Sequence, residues 1–191
     1  MELLLGIFSA FGLSASAGLN AYIPLLVVGV IAHYTKWIVL SKPYDVLANP
    51  WVLIVVGMLL IVEMLADKIP AVNHVNDIIQ TGIRPAAGAI IFAASAHALT
   101  NVHPVVAIIC GLLVAGSVHV VKSAAVRPAV TATTAGAGNV PVSIAEDVVA
   151  TVLSVLSVVI PLLVGILLVI LIALVIWWFW RRANRKRQVN S

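Results

Sequence analysis

The sequence predicts an all-α polytopic membrane protein with about five or six hydrophobic segments. Some of these segments are broken or re-entrant, and the chain carries a candidate internal repeat. Three observations lead there. The 191 residues are 62% hydrophobic and 9% charged, with mean hydropathy +1.15; soluble domains carry about 25% charged residues. Apolar runs of membrane-crossing length recur along the chain, interrupted by Gly, Asn and Pro. Finally, charged residues stand inside or beside those runs, at positions where a charge is costly and marks a protein interior or a wet cavity. The expected organisation is one membrane domain, residues 1–180, and a basic tail, 181–191.

Residues 3–32 are apolar and uncharged but contain Ser14, Ser16, Gly18, Asn20 and Pro24. One helix of that length would measure about 45 Å against a hydrocarbon core of about 30 Å, so a tilted helix or a broken, partly re-entrant pair is expected. With Glu2 as its only early charge, this segment lacks the basic start of a cleaved leader and reads as retained. A polar connection over 33–50 follows, flanked by Trp37 and Trp51 as interfacial aromatics. The second span covers about 51–65 and ends in Glu63, Asp67, Lys68 and Pro70. A polar loop with Asn73, His74, Asn76 and Asp77 leads to a third span at 85–99. Asn101 to Pro104 reads as a tight turn. In the fourth span, 105–121, Gly111, Ala115 and Gly116 permit close helix contact. Residues 122–147 are the least lipid-like internal stretch. The last apolar run, 148–180, is divided by Pro161 and Gly165 and leaves the membrane at Trp177, Trp178 and Trp180.

The net charge of +4 is concentrated in the tail residues Arg181, Arg182, Arg185, Lys186 and Arg187. The remaining body is nearly neutral, which gives no support to a nucleic-acid partner. By the positive-inside tendency the tail is cytoplasmic; five crossings would then put the N-terminus outside, and six would put it inside. Cys110 is the only cysteine, so no intrachain disulfide can form.

Two themes recur. Small residues, one Asn and a following Pro appear around Asn20 and around Asn139, and Arg-Pro-Ala appears at Arg84 and Arg127. Membrane carriers place substrates where related halves meet, using discontinuous helices. An Arg before Pro reads as the start of a helix, because the missing proline N–H is tolerated in the first turn. Such a helix start plus a guanidinium would seat an anion. The expected binding residues are therefore Arg84, Arg127 and Lys122, with Asn20 and Asn139 supplying hydrogen bonds at the breaks. Glu63 and Asp67 share one helix face. With Asp77, Glu146 and Asp147 they are candidates for ion or proton coupling, or for simple pairing with the cations. His74, Asp77, His97, His103 and His119 have no recognised zinc spacing, and neither a metal nor a cofactor is expected. The stretch from Gly136 to Asn139 lacks the features of a nucleotide loop and reads as unwound backbone. Signatures of enzymes are absent.

The ordered set of Ser-Ala-Gly-Leu-Asn-Ala-Tyr-Ile-Pro at 16–24, Glu63-x-x-x-Asp67-Lys68-Ile-Pro70 with Asp77, Arg84-Pro-Ala-Ala-Gly, Lys122-x-x-x-x-Arg127-Pro, Thr-Ala-Gly before Asn139, and Glu146-Asp147 resembles a bacterial integral-membrane family known as a domain of unknown function, DUF4126. The resemblance implies a small multi-span protein of the bacterial inner membrane and carries no activity with it.

The functional expectation is a transporter or channel-like protein for a small anion or an anionic lipid headgroup. Its partners would be membrane lipids, that solute and, at this chain length, a second copy in a homodimer. One rival is a non-transporting scaffold or accessory subunit, in which the charges are internal staples. The other is a cation, metal or proton-coupled transporter built on the acidic residues.

Overall fold

The computed structural model describes the backbone of residues 2–99 and 102–189, and their side chains except at 2, 70–74, 97–99, 179 and 183–189. Among the described residues there are helices and no strands. The order is α1 Glu2–Leu19, α2 Tyr22–Tyr34, a 3-10 turn Tyr44–Ala48, α3 Pro50–Ala66, α4 Pro70–Leu99, α5 Pro104–Val121, a π-helical stretch Lys122–Val126, α6 Arg127–Thr134, α7 Asn139–Val159 and α8 Pro161–Val189. Among the described residues four helical rods are long and apolar enough to cross a membrane: Val75–Ala96, Pro104–Thr134, Asn139–Val159 and Pro161–Arg182. The second of these is α5, the π stretch and α6 running as one piece.

The chain is all-α and polytopic, as its sequence predicts, and both overlong apolar stretches are broken. Residues 3–32 form two helices, α1 and α2, with only Asn20 and Ala21 between them. The break is chemical as well as steric. The Asn20 side-chain oxygen accepts the backbone N–H groups of Tyr22 at 3.1 Å and Ile23 at 3.2 Å, which are orphan donors at the start of α2. Pro161, which lacks an N–H, separates α7 from α8 in the same way.

Two expectations are corrected. The stretch with Asn76 and Asp77 is not a loop but the early part of the 30-residue α4. Neither Arg84 nor Arg127 is therefore at a free helix start: Pro85 lies inside α4, and Arg127 lies within the continuous rod Pro104–Thr134. Proline within a transmembrane helix is tolerated when neighbouring helices re-satisfy the freed backbone, and α4 is clasped by α1 and α5 on both sides. The side chains of Asn73, His74 and His97, and residue Asn101 of the expected turn, lie outside the described residues.

The packing of α1, α4 and α5 uses small residues, since lipid gives helices no hydrophobic reason to associate. A side chain at Gly88 would collide with Ala115, and one at Gly111 would come within 2.7 Å of the Ala89 backbone. Into this crossing Ser14 Oγ donates to the carbonyl of Gly111 at 2.8 Å. Between α1 and α7, Ser16 and Ser154 are 2.7 Å apart, both fully buried. The outward faces are the reverse. On α8, Leu162, Ile166, Val169, Leu171, Ile172 and Val175 are all exposed, as lipid-facing side chains are.

Contacts fix the direction of each rod. Asn20, at the end of α1, reaches Asp147 near the start of α7. Glu63, at the end of α3, reaches Arg84 on α4, and Lys122, at the end of α5, reaches the α1 terminus at Leu19. The α1–α2 turn, the α3–α4 turn and the α5–α6 rod therefore meet in one layer toward the end of the bundle that carries the tail.

Candidate functional site: a buried layer of charge

Five carboxylates, Glu63, Asp67, Asp77, Glu146 and Asp147, converge there with four cations, Lys68, Arg84, Lys122 and Arg127. Asp67, the residue that ends α3, is the hub. Its Oδ1 accepts from Asn76 Nδ2 at 2.7 Å. Its Oδ2 accepts from Arg127 at 2.9 Å and has Arg84 at 3.7 Å and Lys122 at 3.8 Å. Ser143 Oγ adds a weak donor at 3.4 Å.

Arg84 is wholly buried, at 0% exposure. Its Nε and one terminal nitrogen both donate to the same oxygen, Glu63 Oε1, at 3.2 and 2.9 Å. The other terminal nitrogen donates to His119 Nδ1 at 3.2 Å. Arginine has no lone pair to offer, so Nδ1 must be the acceptor. On the other side of the ring, Nε2 lies 3.1 Å from Thr81 Oγ1, whose single proton is already given to the Asp77 carbonyl. His119 is thus a neutral Nε2–H imidazole, fixed in one tautomer by its two neighbours.

Lys122 closes the layer from the π-helical stretch. Its Nζ donates to the Leu19 carbonyl at 2.9 Å, one of the orphan acceptors at the end of α1, and lies 2.7 Å from Glu146 Oε2. That contact is an ion pair, and Glu146 Oε2 has no hydrogen bond among the described residues. On Arg127, one terminal nitrogen is 2.9 Å from both oxygens of Asp77. Asp147 is held by Asn20 Nδ2 at 3.0 Å, with Lys68 at 3.7 Å.

Of the ten residues the sequence singles out, nine meet in this layer. Asn139 does not. It starts α7, and its side chain trades hydrogen bonds with Thr131 at 3.0 and 3.2 Å across the loop 135–138. That loop bends where Ala135 and Gly136 take positive φ. It is a local turn, not unwound backbone lining the layer. The sequence reading places Asn76 in a polar loop and passes over Gln80 and Ser143; all three are buried at the layer. Asn76, Gln80, Arg84 and Gly88 recur every fourth position, a single helix face that becomes legible once 70–84 is read as helix.

With His119 neutral, five carboxylates against four cations leave one negative charge. Each of these four cations has a carboxylate within 4 Å. The oxygens Glu63 Oε2, Gln80 Oε1 and Asp147 Oδ2 lack hydrogen-bond partners among the described residues. One apolar groove of about 620 Å³ reaches the layer from the bilayer side between α5, α7 and α8. It is lined by Val118, Val121, Val149 and Leu171 and ends at Lys122 and Glu146.

The family model described as a domain of unknown function (DUF4126) matches residues 7–181, and the chain belongs to that family. No curated protein and no solved structure matches it.

Proposed function

We propose that this member of the DUF4126 family is a small transporter that exchanges protons for a monovalent cation across the bacterial inner membrane. The observation that carries the reading is the charge imbalance. An uncompensated buried charge costs many kcal/mol and is not left standing. A layer short of one positive charge takes up one proton or one monovalent cation, and the two compete for the same place. The anion-binding alternative needs free cations, whereas Arg84, Lys122 and Arg127 each have the carboxylate of Asp67 or Glu146 within 4 Å. The scaffold alternative has no use for an unbalanced layer.

The basic tail favours a cytoplasmic C-terminus. With that orientation the charge layer opens toward the cytoplasmic side, and the N-terminus of α1 lies outside. The apolar groove gives a cation with an apolar body a second way in, from the lipid.

The test uses proteoliposomes with an acidic interior loaded with a pH-sensitive dye. Sodium, potassium or tetraethylammonium is added outside. At least one of the three is expected to dissipate the pH gradient in the wild type, and Asp67→Asn is expected to abolish this. If none of the three moves protons, the transporter reading falls and the scaffold reading takes its place.

A further inference from the structure

The imbalance of one charge does not by itself say which carboxyl holds the proton, but the hydrogen-bond geometry does. An ionised carboxylate facing arginine offers both oxygens to the guanidinium fork. Asp77 is held through both oxygens, each 2.9 Å from one Arg127 nitrogen. Glu63 differs. Two nitrogens of Arg84 converge on Oε1, while Oε2, in a residue only 2% exposed, receives no donor among the described residues; Glu146 Oε2 and Asp147 Oδ2 also lack a hydrogen bond but each faces a lysine, at 2.7 and 3.7 Å. One oxygen that accepts twice and one that accepts nothing is the pattern of a neutral carboxylic acid, with a carbonyl oxygen and a hydroxyl.

A second orphan completes the picture. Gln80 is also 2% exposed, and its Oε1 has no donor. Its amide lies at the hydroxyl of Tyr22, the first residue of α2, which is itself within electrostatic reach of Glu63.

We propose that Glu63 is the residue that binds and releases the proton, at its Oε2. One proton placed there cancels the excess charge of the layer. It also turns an acceptor without a donor into a donor. The other groups facing Glu63 hold the proton in place or help it leave. From α4, Arg84 bonds Oε1; from the π stretch, Lys122 adds positive potential; on its own chain segment, Asp67 adds negative potential. From α5, neutral His119 touches Arg84 and not Glu63. From α7, Asp147 lies across the small cleft lined by Met64. On release the Oε2–H bond breaks, the electron pair stays on the carboxylate, the proton passes to water, and the incoming cation replaces its charge. The assignment rests on the exchange reading for its role in transport, though not for its geometry.

Difference infrared spectroscopy of reconstituted protein in H2O and D2O tests it. The wild type at neutral pH is expected to show the carbonyl stretch of a protonated carboxylic acid, shifted by deuterium. Glu63→Gln should lack that band, and Asn139→Ala, outside the layer, should keep it. Glu63→Gln replaces the acid by a neutral isostere, so its melting temperature should match the wild type. Absence of the band in the wild type, its persistence in Glu63→Gln, or loss of folding in Glu63→Gln would each overturn the assignment. A band without proton–cation exchange in vesicles would sink the transporter reading alone; exchange without a band would sink the Glu63 assignment alone.

Discussion

Neutralising the hub of the layer should be the most damaging single charge change in the chain. In Asp67→Asn the volume is kept and one oxygen can still accept from Asn76, 2.7 Å away in the native protein. What is lost is the charge that serves three cations: Arg127 at 2.9 Å, Arg84 at 3.7 Å and Lys122 at 3.8 Å. At an effective dielectric of about 20, each unit pair near 4 Å is worth about 4 kcal/mol before desolvation. Removing the carboxylate also returns its own desolvation cost of several kcal/mol, and breaking a buried pair nets about 3–5 kcal/mol. That range is the expected destabilisation of Asp67→Asn. Asp77 gives the internal control. It also bonds Arg127, but its side chain is 22% exposed, so water compensates, and Asp77→Asn should cost about 1–2 kcal/mol as a charged hydrogen bond at a wet site does. The assay is reversible unfolding in mixed micelles followed by circular dichroism. Equal effects at the two positions, or a cost below about 1 kcal/mol at Asp67, would refute the idea that Asp67 is the hub.

Five further outcomes follow from the packing and the charge pairing. Asn20→Ala should cost about 2–3 kcal/mol, because it uncaps two N–H groups of α2 and strips Asp147 of its donor. Asn139→Ala, which loses only a local bond to Thr131, should cost under about 1 kcal/mol in the same unfolding assay. Gly88→Leu should destabilise by about 3 kcal/mol or prevent folding, since its first carbon already meets Ala115 and the Gly111 carbonyl. Gly57→Ala, with nothing within 4 Å, should be neutral or stabilise by up to about 1 kcal/mol. Arg127→Lys keeps the charge but cannot span Asp77 and Asp67 at once. It should lower exchange in vesicles about tenfold, the equivalent of about 1.4 kcal/mol, with little change in melting temperature.

The sequence carries the fold class because lipid is a simple solvent: long apolar runs must be helices there. The breaks at Asn20 and Pro161 were legible for the same reason, as local residues that end a helix. What misled was Arg84-Pro85. Locally that pair reads as a helix start, yet α4 runs through it, because Arg84 is fixed by Glu63 and His119 on other helices. Tertiary bonds decided the matter, and no neighbour in sequence announces them. The likeness between Asn20 and Asn139 was similarly incomplete. Both stand at helix starts, but only Asn20 sits where α7 presents a carboxylate. The charged members of the layer stood out against an apolar background. Asn76, Gln80 and Ser143 did not, since neutral polar residues are common in helices and only burial at the layer distinguishes them.

The central claim is that the layer holds one exchangeable proton and that Glu63 carries it. The most direct measurement is the charge displaced when reconstituted protein on a solid-supported membrane meets a rapid pH jump. The account predicts a transient displacement in the wild type that disappears in Glu63→Gln while folding is kept. A wild type that displaces no charge, or a Glu63→Gln variant that displaces as much as the wild type, would contradict it.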